Sequence, residues 1–255
     1  MDGKKKRESQ EQYVVKSNEL IQKGRYNLTV QQQKLVLYAI SKIKKGDQAD
    51  KWYELSIDEV CSVIGVELDT GGTYYRRIKD DFLKLTNRHW VEFPDGSEGT
   101  CSWFSDAYVI PLSGTVQIRF HEKLAPHLFE LVNRYTQYQL YEVLTLRGKY
   151  SIRLYELLRS YLMQDELRKC KEKEVDYSVD ELRGLLCCES YTRWAEFDRC
   201  VLRKAVDEIN QCSDIVRISY DTIKRGKNVV RITFIITYPN MVQKLMAHEE
   251  QRKRL

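Results

Sequence analysis

The sequence predicts an α+β protein of two winged-helix domains in tandem, each a helix-turn-helix followed by a β-hairpin wing. Three observations lead there. The capping-box segment Ser56-Ile57-Asp58-Glu59 recurs as Ser178-Val179-Asp180-Glu181, and an internal repeat is the strongest organising signal a chain can carry. Each copy starts a short helix, and a longer helix follows it. Ile78, Phe82 and Leu85 in the first long helix share the i, i+4, i+7 spacing of Leu202, Val206 and Ile209 in the second. Strand-like runs separated by turn residues come next in both copies, which is the order of a winged helix.

The elements follow in order along the chain. Residues 1–12 are polar and charged and read as a disordered basic arm, with Lys4 to Arg7 as a solvated cluster. Thr29 reads as an N-cap, and Val30, Leu35, Val36, Leu37, Ala39, Ile40 and Ile43 give the next helix a broad apolar face. Trp52 to Leu55 is a short strand. Ser56 and Glu59 then form a capping box for a helix that stops at Gly65. The long helix runs from Thr73 to Asn87. Trp90–Phe93, Cys101–Ile110 and Thr115–Phe120 are strands, broken by Pro94-Asp95-Gly96 and Ser113-Gly114. Leu124–Leu131 closes this unit as a helix, giving a first domain over residues 13–132.

The second domain is expected over residues 133–238. Helical stretches near Gln137–Leu146 and Ser151–Gln164 precede the second capping box. Its long helix runs from Arg193 to Asn210. A strand from Ile215, a basic turn over Thr222–Asn228 and a strand over Val229–Thr237 complete it. Residues 239–255 form a tail.

Composition narrows the class. Apolar residues are 42% and charged residues 31%, a globular balance. No apolar run approaches the roughly 20 residues that cross a bilayer, and no apolar stretch follows the basic start, so neither membrane insertion nor secretion is expected. The seven Cys are odd in number and irregularly spaced, which suits reduced thiols in a cytoplasm. Cys187 and Cys188 are adjacent, a poor geometry for a zinc site, so no metal is expected. No P-loop, dinucleotide-binding glycine motif or G-x-S-x-G elbow occurs. The four His include no H-E-x-x-H or His-x-His pair, so a metal-dependent nicking enzyme working through one of the 17 Tyr is disfavoured. No catalytic residue and no cofactor is expected. The net charge of +5 permits nucleic acid as a partner without requiring it, because distribution decides.

Distribution points to the second domain. On a helical wheel Phe197, Val201, Leu202, Ala205, Val206 and Ile209 occupy one half. Arg199, Arg203 and Lys204 occupy the other with Glu196 and Asp207, and Arg193 sits at the first turn. Arg199 and Arg203 are four apart and project side by side. An apolar face to seat the helix and outward Arg for guanine O6 and N7 are what a major-groove reader needs. Glu196, Asp207 and Glu208 dilute the positive face, so the helix alone decides nothing. The basic turn adds weight: Lys224, Arg225, Lys227 and Asn228 at a wing tip suit phosphate or minor-groove contact.

The first domain is weaker. Arg76, Arg77 and Lys84 are outward on its long helix, but Asp80 and Asp81 lie among them, and the turn Asp95–Gly99 taken as its wing is acidic. Arg76 and Arg77 suit backbone contact, or the unit pairs with protein. The strands Cys101–Ile110 and Thr115–Phe120 offer either an edge for pairing or an ordinary covered edge, and the sequence does not choose between them.

The chain resembles the initiator Rep family of plasmid replication proteins. The resemblance is carried by Val15-Lys16-Ser17-Asn18-Glu19-Leu20, by Leu28-Thr29 with Gln33-Lys34-Leu35, and by Arg153-Leu154-Tyr155-Glu156-Leu157-Leu158. Tyr191 with Phe197 and Glu208-Ile209-Asn210 add to it, and together these span residues 13–238. The resemblance implies a non-enzymatic bacterial protein that binds direct repeats, or iterons, at an origin on double-stranded DNA and promotes opening of adjacent AT-rich DNA. It implies recruitment of a host initiator and helicase, and a homodimer through the first domain that represses its own gene at an inverted repeat. It also implies that the second domain reads bases, through Arg193, Arg199 and Arg203, with Asp198 and Lys204 as further candidates. Asp198 falls on the apolar half near the helix start, where capping competes with reading. A dimeric transcriptional repressor without origin function is the alternative.

Overall fold

The computed structural model describes residues 12–65, 73–87, 89–92, 98–110, 113–162, 172–213 and 216–237. The chain divides into two compact units, Met1–Lys149 and Tyr150–Leu255. The expected basic arm before residue 12 and the tail after 238 lie outside the described residues.

The first unit runs β1 (Tyr13–Ser17), α1 (Asn18–Lys23), α2 (Val30–Ile40), β2 (Tyr53–Ser56), α3 (Ile57–Ile64), α4 (Thr73–Thr86), β3 (His89–Glu92), β4 (Glu98–Cys101), β5 (Phe104–Ile110), β6 (Thr115–Phe120), α5 (Ala125–Leu128), β7 (Tyr135–Gln139) and α6 (Leu140–Leu144). Thr29 caps α2 through a complete capping box: the Gln32 N–H donates to Thr29 Oγ1 at 3.2 Å, and Gln32 Oε1 accepts from the Thr29 N–H at 3.1 Å. Ile78, Phe82 and Leu85 bury the inner face of α4. Phe82 meets Phe104 with ring centroids 5.9 Å apart, and Phe104 meets Phe120 at 5.4 Å, so α4 is seated on the β5–β6 pair.

Several expectations for this unit change. Ser56 does N-cap α3, but its side chain makes no cap bond. Glu59 is drawn instead to the end of α2, where it accepts from the Tyr38 hydroxyl and, just past the helix, pairs with Lys42 at 3.1 Å. The helix expected near Gln137–Leu146 begins as a strand: β7 alternates exposed and buried residues with period two and pairs antiparallel with β1. That pairing places residues 133–149 in the first unit, where the sequence had assigned 133 onward to the second. The expected strand Cys101–Ile110 is interrupted at Ser102–Trp103, and the closing helix ends at Leu128.

The second unit runs α7 (Lys149–Arg159), whose first residue closes the first unit, then β8 (Glu172–Ser178), α8 (Val179–Leu185), α9 (Trp194–Phe197), a π-helical turn (Asp198–Leu202), α10 (Arg203–Cys212), β9 (Arg217–Arg225) and β10 (Asn228–Thr237). Here the second capping box forms: the Glu181 N–H donates to Ser178 Oγ at 3.2 Å, and the Ser178 N–H donates to Glu181 Oε2 at 3.4 Å. The strands order β8-β10-β9. Residues 194–212 form one continuous helix, with Phe197, Val201, Leu202, Ala205, Val206 and Ile209 buried as the wheel requires. Ile218, Ile232, Phe234 and Ile236 supply the sheet side of that core.

The two units share one topology. β2 lies against β6 and β6 against β5, as β8 lies against β10 and β10 against β9. The counterpart of the basic hairpin is therefore β5–β6, turning at Ser113-Gly114. The acidic turn expected to be the first wing belongs to a separate two-stranded hairpin, β3–β4, and residues 93–97 of it lie outside the described set.

Asn210 ties the long helix to the sheet. Its Nδ2 donates to the Ile218 carbonyl at 2.7 Å, and its Oδ1 accepts from the Ile218 N–H at 2.8 Å. Asn210→Ala leaves both backbone groups of Ile218 without these partners and should lower stability by about 1–3 kcal/mol, read as a fall in the urea midpoint. A midpoint within error of the parent would show that the clamp is dispensable.

Glu59 gives the fold a pH dependence. Partial burial pushes its carboxyl up, but the bonds from Tyr38 and Lys42 outweigh that and hold it below the usual Glu value. Its contribution is present above the ordinary carboxylate pKa and fades as pH falls through the depressed folded value. Glu59→Gln should flatten the loss of stability in that acid window, followed by urea denaturation at stepped pH. An unchanged slope would remove Glu59 from the account.

Candidate nucleic-acid interface

The helix of residues 194–212 turns its polar side outward. Arg199, Arg203 and Lys204 are exposed, and Arg193 at the helix N-cap is exposed and pairs with Glu196 at 3.2 Å. Arg199 makes no ion pair among the described residues. Asp207 is exposed and Glu208 is half-buried, so the acids flank the cations rather than covering them.

Asp198 neither caps the helix nor points freely outward. Its side chain is 13% exposed; Oδ2 accepts from Arg203 Nη2 at 2.6 Å, and Oδ1 accepts from the Tyr220 hydroxyl on β9. The π-helical turn makes this possible. The Arg203 N–H donates to the Asp198 carbonyl five residues back, and the wider turn brings positions 198 and 203 to one side. Burial and the bond to Asp198 push the Tyr220 phenol up to about 12. The first end of the helix is thus fixed to β9 through Asp198 and Tyr220, and the far end through Asn210.

Arg183 fixes the turn before the helix. It donates to the Thr192 carbonyl at 2.9 Å, pairs with Asp180 at 3.2 Å and lies 5.1 Å over the Phe197 ring. A cation stacked on a buried aromatic holds the short and long helices at one angle.

The basic hairpin is longer and narrower than its sequence implies. Strand pairing continues through Lys224↔Val229 and Arg225↔Asn228, so the turn is only Gly226-Lys227. Gly226 takes φ +64, as the first loop residue of a II′ hairpin requires. β8 pairs with β10 only from Arg231 onward, so the tip beyond it is a two-stranded arm. Lys224, Arg225, Lys227 and Asn228 are exposed on that arm, with Ile223 and Val230 also exposed.

In the first unit Arg76, Arg77 and Lys84 are exposed on α4, as the spacing predicts. The two acids part company. Asp80 is exposed, whereas Asp81 is half-buried and accepts from Gln32 Nε2 at 3.2 Å. Burial outweighs that bond and raises the Asp81 carboxyl. Lys79, which the sequence reading passed over, is exposed beside Arg76 and lies 4.7 Å over the Tyr75 ring. Its i+3 spacing from Arg76 was the available signal. Leu83 is 62% exposed on the same stripe. The face of α4 is therefore more positive than its sequence suggests.

No group of three or more potential metal ligands occurs among the described residues, and no helix among them is long and apolar enough to cross a membrane.

Each unit is a winged helix with a cation-bearing long helix. The family described as "Initiator Replication protein, WH1" matches residues 13–159, and "Initiator Rep protein, WH2" matches residues 178–236. The chain belongs to the initiator Rep protein family. It is similar to a replication initiation protein of Escherichia coli, 24% identical over 226 residues, covering 87% of this chain and 68% of that one. Its fold is similar to that of the Pi initiator protein solved in complex with iteron DNA: TM-score 0.69, 19% identity, 90% of this chain and 98% of that one covered.

Proposed function

We propose that this protein initiates plasmid replication by binding direct repeats at an origin, with the second unit reading sequence and both units contacting backbone. The observation that carries the reading is the pairing of an outward Arg199–Arg203–Lys204 face with an exposed basic arm at Lys224, Arg225 and Lys227 in one winged helix. The helix face suits base edges in a major groove, and the arm suits the adjacent phosphates. The solved complex of a protein with the same fold on iteron DNA supports this assignment.

Arg193, Arg199 and Arg203 are the base readers in this proposal. Lys204 is a further base-contact candidate on the same face; Lys224, Arg225, Lys227 and Asn228 contact backbone, as do Arg76, Arg77 and Lys84 in the first unit. The protein acts by binding and recruitment, without a catalytic step, in a bacterial cytoplasm. Opening of AT-rich DNA and capture of a host initiator and helicase complete the function.

Pairing of two copies through the first unit fits strand β5. It lies at the edge of the order β2-β6-β5, and its Tyr108 is exposed against Trp52 with ring centroids 5.4 Å apart. An open edge with an aromatic beside it accepts a second strand. Such a dimer would repress the protein's own gene at an inverted repeat.

Footprinting on the DNA flanking the gene, at near-physiological salt with random competitor, tests the reading. Protection of several direct repeats at one-turn or two-turn spacing, at least roughly 10³-fold above random DNA, is expected. Protection of a lone inverted repeat would leave a repressor, and no preference would sink both. Arg199→Ala should cost about 1–3 kcal/mol at cognate sites and relax the base preference. Lys224→Ala and Lys227→Ala should weaken all DNA alike, each lowering the salt slope by about one.

A further inference from the structure

We propose that Asp198 and Tyr220 are positioning residues that set the sequence preference delivered by Arg203. The proposal rests on the reading of the second unit as the base reader, and it replaces the expectation that Asp198 itself contacts bases.

The geometry supports a positioning role in three ways. Asp198 is nearly covered, at 13% exposure, while Arg203 beside it is 64% exposed. Both carboxylate oxygens are engaged, one by Arg203 Nη2 and one by Tyr220, which leaves little for a base amino group. The π-helical turn sets the two residues side by side where regular α-helix would separate them. Such turns recur at functional sites.

The chemistry follows from the shape of the guanidinium. Arg carries five N–H donors in a rigid plane. One end of that plane is held by Asp198, so the remaining donors face outward in a fixed orientation. A planar fork held in this way meets guanine O6 and N7 with little rotamer freedom left to lose. Tyr220 completes the set from the wing strand. Its ring packs on Phe234 at 5.9 Å, and its hydroxyl fixes the carboxylate plane. The orientation of Arg203 is therefore inherited from the docking of the helix on β9.

A carboxylate beside DNA has a second, opposite effect, and this makes the proposal testable. Asp198 repels phosphate, so removing its charge should leave random-DNA binding equal or tighter. If Asp198 positions Arg203, the same change should lower the cognate-to-random ratio. Tyr220→Phe removes the anchor without changing any charge.

The experiment compares the intact protein with Asp198→Asn, Tyr220→Phe, Arg203→Ala and the double variant Tyr220→Phe/Arg203→Ala. Each is titrated against a cognate repeat, a set of single-base-pair variants of it, and random duplex of the same length. Circular dichroism melts confirm that each is folded. Asp198→Asn and Tyr220→Phe should each lower the cognate-to-random ratio by roughly tenfold, within the range that coupled neighbours show. The loss should fall at the same base-pair position that Arg203→Ala relaxes. Tyr220→Phe should add almost nothing once Arg203 is gone.

Three outcomes overturn the proposal. The ratio could be unchanged in both single variants. Asp198→Asn could relax a base pair different from that of Arg203→Ala, which would make Asp198 a reader in its own right. The two changes in the double variant could be additive, which would make Tyr220 merely structural. An Arg203→Ala variant that keeps the full cognate preference overturns the proposal as well, whereas an intact protein with no preference for the repeat over random duplex would sink the reading of the second unit as base reader.

Discussion

The second unit depends on how one helix is fixed to one strand. Asn210 exchanges two hydrogen bonds with the backbone of Ile218, and Tyr220 reaches the helix start through Asp198. Ile218 and Tyr220 are two residues apart on β9, so they lie on the same side of the sheet. The apolar side chains between these points, Val201, Val206 and Ile209 among them, bury area but have no direction of their own. The polar pairs supply the direction. They fix how far the helix slides along the strand and how it is turned about its axis. Every outward side chain of residues 194–212 takes its aim from that constraint, and the basic arm takes its starting point from the same strand.

Similar local sequences are used differently in the two units. Ser178 and Glu181 close on each other, as a capping box should. Ser56 and Glu59 have the same spacing, yet Glu59 leaves the cap for Tyr38 on the neighbouring helix and Lys42 just past its end. The physical reason is competition. A capping carboxylate satisfies one backbone N–H, whereas a carboxylate facing a phenol and an ammonium gains two partners, one of them charged. Asp81 makes a comparable exchange, giving up the exposed face of its helix for Gln32. In both cases an acid that the sequence places among surface groups is drawn onto a neighbouring helix.

This competition also marks the limit of what the sequence made legible. The repeat, the two long helices and their buried faces followed from period and capping alone, because those signals are local. The β7 strand did not. Tyr135–Gln139 is polar enough to read as helix, and its partner Tyr13–Ser17 lies over a hundred residues away. The wing of the first unit was misplaced for the same reason, since which hairpin pairs with β2 is a matter of strand order and not of turn composition. On the outer face of the second unit, the exposure of Arg199, Arg203 and the arm cations could be read from spacing. Tyr220 could not, because the π-helical turn that creates its partnership has no sequence signature in the period of the helix.

Arg199 and Arg203 are equal on a helical wheel and unequal in the folded chain. Arg203 is held by Asp198 at 2.6 Å, and Arg199 has no ion pair among the described residues. Ordering a free Arg side chain costs about 1.5–2 kcal/mol of rotamer entropy, and for Arg203 part of that cost is met during folding. The price is local charge: the pair Asp198–Arg203 is neutral and attracts phosphate less than a free Arg would. In the proposed reading the helix divides its two tasks between neighbours, geometry at Arg203 and field at Arg199. The arm at Lys224, Arg225 and Lys227 adds attraction with no acid on either side of its turn. Selective binding of the proposed repeats among a great excess of other DNA would need both, since attraction alone binds everything and fixed geometry alone binds slowly.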